Sequence, residues 1–210
     1  MLTIKQFEKR YHDTVIVKFN EITFTPGIHW MQGENGSGKS TFFKAVAGLI
    51  PHQGTIQFND GISHHTDPVA FRQRINYSEA EPSYPGFLSG SDVLQFISKA
   101  KGATKEQQTH YINAFGLNTY IHTSCETYST GMLKKLSLAL AFLGSPQLII
   151  LDEPLITLDK ASRDVLILLM KERFEKDQVI FLISSHQIIE EAVLPIHGVY
   201  TIKDKTLVRS

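Results

Sequence analysis

Alternation between apolar and polar residues is the first regular pattern in the chain. Apolar residues occupy every second position in two adjoining runs, Val15, Val17 and Phe19, then Ile22 and Phe24. This period of two is typical of strands, and the Pro26-Gly27 pair that follows predicts a turn. The short apolar segment IHWMQ, residues 28–32, predicts another strand.

The period changes to that of a helix after the glycine-rich segment GENGSGKST, residues 33–41. Apolar residues then lie on one stripe at helical spacing, namely Phe43, Val46, Ala47 and Ile50. Gly48 and Pro51 predict the end of this helix. The chain therefore has a strand, a glycine-rich loop and a helix in that order.

Helical patterns dominate the middle of the chain, from about residue 88 to about residue 145. Ser91 is suited to cap one helix, and Thr104 with Gln107 matches a capping box at the start of another. Ser129 precedes a third helix and is suited to cap it. The buried face predicted for this third helix comprises Met132, Leu136, Leu140 and Leu143.

Strands frame this helical middle part. GTIQFNDG, residues 54–61, predicts a strand followed by a turn. Toward the end of the chain, the apolar runs LIIL and VIFLI flank the helical pattern ASRDVLILLMKERF, which predicts a β-α-β unit with buried parallel strands. VYTIKDKTLV, residues 199–208, predicts a hairpin. The pattern as a whole predicts an α/β fold with an inserted helical part.

Composition narrows the class of protein. The 210 residues are of the size of one domain, and 21 Lys and Arg balance 21 Asp and Glu, so no net field favours nucleic acid as a partner. A single cysteine, Cys125, excludes an intramolecular disulfide and favours a reducing compartment. The first residues lack the apolar core of a signal peptide, and the apolar runs are shorter than a membrane span. We therefore expect any membrane crossing to belong to another chain.

The glycine-rich segment carries the clearest chemistry. Gly33, Gly38, Lys39 and Ser40 fit the phosphate-loop pattern G-x-x-x-x-G-K-[ST] between a strand and a helix. Glycines let successive backbone N–H groups point at phosphate oxygens, and the helix N-terminus adds partial positive charge. Lys39 is then expected to reach the β- and γ-phosphates of a nucleotide, and the Ser40 hydroxyl to ligate Mg²⁺.

Polar groups also follow two of the predicted strands. Asp152 and Glu153 end the LIIL strand, where ligands bind in parallel α/β sheets. Asp152 suits a role in holding Mg²⁺ and its waters, and Glu153 suits a general base for an attacking water. His186 follows the VIFLI strand and is suited to donate a hydrogen bond to a γ-phosphate.

Three segments in this order, GENGSGKST, YSTGM and LIILDEP, resemble the ATP-binding-cassette (ABC) ATPases, the nucleotide-binding subunits of ABC transporters. The resemblance implies a P-loop NTPase with a mostly parallel core sheet, an N-terminal antiparallel β part and an inserted α-helical subdomain. It implies one ABC ATPase domain over residues 1–210, with the core at about 1–80 and 146–210 and the helical subdomain at about 88–145.

The resemblance also implies roles for individual residues. Tyr11 corresponds to the aromatic residue that stacks on adenine, Asp159 to the D-loop aspartate and His186 to the switch histidine. Ala80 stands where the family usually has a glutamine that touches Mg²⁺ and the attacking water, a contact that is lost here or supplied by Glu79 or Glu81. The expected ATP contacts in the phosphate loop are Gly33, Glu34, Asn35, Gly36, Ser37, Gly38, Lys39, Ser40 and Thr41.

The signature segment of the family reads Leu-Ser-Gly-Gly-Gln and contacts the ATP of a second subunit. Ser129 and Gly131 match it, whereas Thr130 and Met132 differ, and Thr130 adds a β-branched side chain that restricts the backbone. This arrangement implies a head-to-tail dimer with the same chain or with a related ATPase subunit.

The function implied is ATP hydrolysis that drives a membrane transporter, with membrane-spanning subunits as partners and a location on the cytoplasmic face of the membrane. The STGMLKKL form is more similar to exporters than to importers. An alternative is a soluble ABC-type ATPase that acts on nucleic acid or ribosomes, although such proteins usually carry two cassettes or added arms. A P-loop kinase is a third interpretation, which leaves YSTGM and the Asp-Glu pair without a role.

Overall fold

Two sheets organise the chain in the computed structural model, which describes residues 1–185 and 194–210. One sheet has three antiparallel strands, and the other has six strands, of which all but the last are parallel. In chain order the strands of the described part are β1 (Leu2–Tyr11), β2 (Thr14–Phe24), β3 (Gly27–Gln32), β4 (Gln53–Phe58), β5 (Ile75–Ser78), β6 (Leu148–Leu151), β7 (Ile180–Ser184), β8 (Gly198–Lys203) and β9 (Thr206–Arg209).

Most of the helices lie between β5 and β6, as the sequence predicts. Two short 3₁₀ helices, Leu117–Thr119 and Cys125–Thr127, connect the longer helices there. The α-helices of the described residues are α1 (Lys39–Val46), α2 (Pro68–Gln73), α3 (Gly90–Lys101), α4 (Lys105–Ala114), α5 (Thr130–Ala141) and α6 (Lys160–Asp177). This architecture is α/β with an inserted helical part, which confirms the predicted fold class.

The order of the large sheet, β5-β6-β7-β3-β8-β9, determines where polar residues meet. Strand β7 pairs in parallel with β6 on one side and with β3 on the other. The carboxyl ends of these three strands therefore lie side by side. Alternate residues of β6 pack into two separate hydrophobic clusters, Ile149 and Leu151 into one and Leu148 and Ile150 into the other, so both faces of this sheet are buried.

Strand β1 was not predicted, because its buried residues do not alternate regularly with exposed ones. Leu2 and Ile4 are buried, but Gln6 has a positive φ of 49°, and the next buried residue is Phe7. The irregularity at Gln6 shifts the alternation by one residue, as a β-bulge does. The N-terminal strand therefore lacks the strict period of two that identifies β2.

One predicted helix cap and one predicted helix residue are wrong. Ser89, rather than Ser91, is the N-cap of α3, because its hydroxyl accepts the N–H of Asp92 while the Asp92 carboxylate accepts the N–H of Ser89. Helix α1 ends at Val46, and Gly48 follows its C-cap with a positive φ of 71°, as predicted, but Ile50 lies beyond the helix. The capping box of Thr104 and Gln107 is confirmed.

Helix α2 was not predicted, although its first residues carry a signal. The Asp67 side chain accepts the N–H of Ala70, and Pro68 occupies the first helical position, where its missing N–H costs nothing. Six residues are too few for a helical period to show. Within the described ranges, none of the helices combines the length and the apolar character that a membrane span requires.

Candidate functional site

The phosphate loop connects β3 to α1 and is shaped by its glycines. Gly38 is the N-cap of α1 and has a φ of 106°, in a region that side chains disfavour. A Cβ at this position would lie 2.9 Å from Cγ2 of Ile16 in β2, which is too close for two carbon atoms. Both the conformation and the close approach of β2 therefore require glycine here.

Lys39, the first residue of α1, folds back over this loop. Its side chain is 7% exposed, and Nζ donates to the backbone carbonyls of Gly33 at 2.7 Å and Glu34 at 3.0 Å. Burial lowers the pKa of Lys39, and the charges of Glu153 and Asp152 oppose that shift. The ammonium group is thus fixed by the loop and lies in the field of both carboxylates.

One cavity brings together the residues that the sequence separates. The Ser37 hydroxyl, which belongs to its lining, is buried without a hydrogen-bond partner among the described residues. A bound group with acceptor oxygens would satisfy this hydroxyl. The lining residues within the described ranges are Ile16, Asn35, Gly36, Ser37, Gly38, Lys39, Ser40, Thr41, Ala80, Glu81, Asp152, Glu153 and Ile156.

Asp152 is held by two hydroxyl groups from neighbouring strands. Ser184 Oγ, at the end of β7, donates to Asp152 Oδ1 at 2.6 Å and accepts the N–H of Glu153 at 2.9 Å. Tyr77, in β5, donates from its hydroxyl to Asp152 Oδ2 at 3.3 Å, and burial raises the pKa of this phenol. Sequence reasoning missed both residues, although the small polar end of β7 was a signal for Ser184.

Glu153 has a strained backbone. Its φ is 45°, which is uncommon for a residue with a side chain, and its side chain is 7% exposed. Such strain costs about 1–3 kcal/mol and persists only where the surrounding structure enforces it, often at functional sites. Asp152 and Glu153 therefore both line the cavity, each fixed by its surroundings.

The segment YSTGM begins α5 and does not line this cavity as the described residues define it. Ser129 caps the helix, as predicted, because its hydroxyl accepts the N–H of Met132 at 3.2 Å. The Thr130 side chain is exposed. A Cβ on Gly131 would lie 3.1 Å from the carbonyl oxygen of Thr157, so the close approach of the segment after Glu153 favours glycine at this position.

Asp159 joins that segment to α5 and α6. Its carboxylate accepts the N–H of Ser162 at 2.8 Å, which caps α6, and pairs with Lys135 Nζ at 2.6 Å. The hydrogen bond from Lys135, supported by those from Ser162, lowers the pKa of Asp159. Helix α5 and the segment that follows Glu153 are thus linked within one chain.

Three other predicted residues have different positions. Tyr11 ends β1, is 48% exposed and lies under Lys9 Nζ, 4.3 Å from its ring centroid, but it is not among the residues that line the phosphate cavity. Its adenine contact stays a prediction. His186 lies outside the described residues. Of the two acids beside Ala80, Glu81 lines the cavity, while Glu79 pairs with Lys44 at 3.3 Å.

The family model of the ABC transporters matches residues 21–156, which include the phosphate loop, the signature segment and the carboxylate pair. The chain belongs to the ABC transporter family. Membership confirms the family that the sequence predicts.

Relatives of this ABC protein come from bacteria and archaea. The ABC transporter ATP-binding protein YdbJ of Bacillus subtilis is 29% identical over 192 residues, which are 90% of this chain and 62% of the relative. The phosphonates import ATP-binding protein PhnC 2 of Haloquadratum walsbyi is 28% identical over 89% of this chain and 69% of that protein. The chain spans 61 to 63% of the length of the first relatives that it matches.

Solved structures share the fold. The ATP-binding subunit of an ABC transporter superposes with a TM-score of 0.88 over 100% of this chain and 89% of the other, at 22% identity. A dimeric ATP-binding cassette in a post-hydrolysis state, bound to ADP and Pi, gives a TM-score of 0.85 at 18% identity, over 100% of this chain and 98% of the other. These similarities support the fold that the sequence predicts.

Proposed function

We propose that this chain binds ATP in the phosphate-loop cavity, hydrolyses it and thereby powers a membrane transporter. The observation that carries the proposal is the common lining of one cavity by Lys39, Ser40, Asp152 and Glu153. Lys39 and the N-terminus of α1 are suited to bind the phosphates. The two carboxylates opposite them are suited to hold the metal ion and to orient the water. Phosphoryl transfer requires these groups together.

The chemistry follows from this placement. Backbone N–H groups of the loop and Lys39 bind the β- and γ-phosphates, and the Lys39 bonds to the carbonyls of Gly33 and Glu34 are exchanged for stronger bonds to phosphate. The Glu153 carboxylate orients the attacking water and takes its proton. Ser184 donates to the Asp152 carboxylate and accepts the backbone N–H of Glu153. One side chain therefore fixes the position of the Asp152 carboxylate relative to the backbone of Glu153.

The residues fit a magnesium ion as the cofactor. Ser40 is exposed toward the cavity at the start of α1, and the Asp152 carboxylate lies across it with both oxygens oriented by hydroxyl donors. Hydroxyl and carboxylate oxygens are the hard ligands that Mg²⁺ prefers. When bound, Mg²⁺ would neutralise phosphate charge. Ser40 and the waters held by Asp152 are the groups that would keep it in place.

We further propose a head-to-tail dimer, of this chain with itself or with a related subunit. Ser129 and Gly131 begin α5 outside the phosphate cavity of their own chain, at a helix N-terminus that favours an anion. The anion proposed for this helix is the γ-phosphate of the ATP in the partner. The dimeric cassette bound to ADP and Pi supports this arrangement.

Thr130 provides a test of the signature segment. Thr130→Gly should preserve or raise the ATPase rate, because the side chain is exposed on the helix N-terminus proposed to meet the partner's phosphate. The ATPase rate is measured above the dimerisation concentration, with thermal unfolding as the control for the helix propensity that glycine loses, about 1 kcal/mol at most. A large loss of activity in a folded variant would contradict this role of Thr130.

The surface proposed to bind the membrane-spanning subunits is a groove between the core and α3. It is lined by apolar side chains, among them Leu49, Tyr84, Ile97 and Leu140, and lies beside the loop that carries Ala80. Leu49 is 55% exposed at this groove. A short apolar helix of a membrane protein would bury these side chains and transmit motion to the nucleotide site.

Leu49→Ser should weaken binding to the membrane-spanning chains by about tenfold, because a buried leucine contributes about 1.5–3 kcal/mol. The chain is expressed with its neighbouring membrane proteins, and the amount that copurifies is measured. Leu168→Ser is the matched control, since Leu168 is 59% exposed but lies on α6. Absence of any membrane protein with the unmodified chain would contradict the transporter proposal itself.

The direction of transport and the location of the protein are also proposed. We propose export, on the form of the STGMLKKL segment, although a relative is named for phosphonate import. The proposed location is the cytoplasmic face of the membrane, where the ATP is. We also propose one ABC ATPase domain over residues 1–210, with its core at about 1–80 and 146–210 and its helical subdomain at about 88–145.

A further inference from the structure

Lys134 is a buried cation in the middle of α5. Only 1% of its surface is exposed, and its Nζ donates to three backbone carbonyls, those of Glu79 at 2.7 Å, Ala80 at 3.2 Å and Asp152 at 2.8 Å. An ammonium group has three N–H donors, so every donor of Lys134 has an acceptor. The neighbouring Lys135 differs, because its side chain is 24% exposed and pairs with Asp159.

The carbonyls that Lys134 joins belong to two segments that end at the nucleotide cavity. Glu79 and Ala80 begin the loop after β5, and Ala80 and Glu81 line the cavity. Asp152 follows β6 and lines the same cavity. Since α5 begins at Thr130, Lys134 also connects both segments to the helix whose N-terminus carries the signature.

Nearby carboxylates offset part of the effect of burial on Lys134. Burial lowers the pKa of Lys134 to about 8, and the carboxylates of Asp152, Glu153 and Glu79 oppose that shift. A buried carbonyl that loses its donor costs far more than an exposed one, so these three acceptors depend on the ammonium group. No other side chain of the described residues donates to the carbonyls of Glu79 and Ala80 in the hydrogen bonds observed.

We propose that Lys134 is a positioning residue for hydrolysis, which holds the Ala80 loop against the end of β6 in place of the side-chain contact that alanine lacks. This inference rests on the proposed function of the cavity. Lys134 itself touches neither the nucleotide nor the water. It fixes the backbone from which Glu81 and the carboxylate pair reach the cavity, and it couples that backbone to α5.

The consequence is a separation of binding from turnover. The phosphate loop and Lys39 do not contact Lys134 in the hydrogen bonds of the structure, so ATP affinity should depend little on Lys134. Orientation of the attacking water is far more sensitive, since small displacements of a catalytic group change rates strongly.

The test is Lys134→Met, which keeps an apolar stem of similar length without charge or donors. We expect kcat for ATP to fall by about tenfold or more and KM to change by less than about threefold. Hydrogen exchange of the backbone at residues 79–83 should become faster. Lys101→Met is the matched control, since Lys101 is also a partly buried lysine that donates to two carbonyls, of Arg72 at 2.5 Å and Ile75 at 2.6 Å.

Lys101→Met should leave kcat within about twofold of the unmodified chain and leave exchange at 79–83 unchanged, even if it destabilises the fold. Equal effects of the two substitutions on kcat would overturn the proposal, as would a rise in KM at constant kcat. If Lys134→Met does not fold, Lys134→Gln against Lys101→Gln makes the same comparison. If the unmodified chain hydrolyses no ATP, the proposed function fails, whereas the exchange experiment still decides whether Lys134 holds the loop.

Discussion

Replacement of Glu153 by glutamine should lower ATP turnover by about 100-fold or more, because a positioned general base contributes about 10² to 10⁴ to the rate. Glutamine keeps the size of the side chain and the strained backbone at φ 45° remains possible, so the change removes only the acceptor of the proton. ATP binding should persist, since the contacts proposed for the phosphates come from the phosphate loop and Lys39, which the substitution leaves unchanged. Phosphate release under single-turnover conditions and ATP binding by calorimetry measure the two effects separately.

The same variant should accumulate an ATP-dependent dimer. If ATP closes the pair and hydrolysis opens it, a chain that binds without hydrolysing remains closed, and sedimentation should show about twice the monomer mass only with ATP. Asp164→Asn is the charge-matched control, because Asp164 is an exposed acid on α6, and its turnover should stay within about twofold. Undiminished phosphate release by Glu153→Gln would refute the assignment of the base.

The parts of the site that the sequence predicts best are formed by residues close together in the chain. The phosphate loop needs several glycines within a few residues because its backbone must curl, and Gly38 confirms this with its φ of 106°. Strand β6 was predicted from a fully apolar run that is followed by two acidic residues. The run is fully apolar because both faces of the strand are buried. In these segments the residues that determine the structure are neighbours in the sequence.

Prediction failed where contacts between distant segments decide. Ser89 rather than Ser91 caps α3, and Ser89 is also held by a β-bridge to Ser124 in a distant segment, although the spacing of Ser89 and Asp92 was a local signal for this capping box. Lys134 looks like one half of a solvated lysine pair, and only the fold shows that its partners lie 55, 54 and 18 residues away. Helical period alone does not distinguish such a cation from its exposed neighbour.

The contact between Tyr77 and Asp152, the residue proposed to hold the metal, could not be predicted for the same reason. The Tyr77 hydroxyl donates to the Asp152 carboxylate only because β5 pairs in register with β6, Tyr77 opposite Ile150. Strand β5 is four residues long and not strictly alternating, so no strand period is recognisable in it. A residue that orients another residue is thus visible only once the neighbouring strands are known.

Lys39→Ala should weaken ATP binding by about 10- to 100-fold, because hydrogen bonds to a charged partner contribute about 1.5–3 kcal/mol and each 1.4 kcal/mol is about tenfold in affinity. In the structure the same ammonium donates to the carbonyls of Gly33 and Glu34. The substitution therefore also frees the loop, which adds an ordering cost to binding. Isothermal titration calorimetry with ATP and with ADP measures the loss, and the loss should be larger for ATP, since Lys39 is proposed to contact the γ-phosphate as well.

Lys44→Ala is the control on the same helix. Lys44 also lies in α1, and its ammonium group pairs with the Glu79 carboxylate at 3.3 Å. The substitution therefore removes one positive charge near the loop without removing a proposed phosphate contact. An exposed pair of this kind contributes about 0–1 kcal/mol, and ATP affinity should stay within about twofold. Equal losses for both variants would mean that Lys39 acts only through the net charge of α1, and unchanged affinity in Lys39→Ala would count against the phosphate loop as the ATP site. A loss confined to Lys39, and greater for ATP than for ADP, would place its ammonium group at the γ-phosphate.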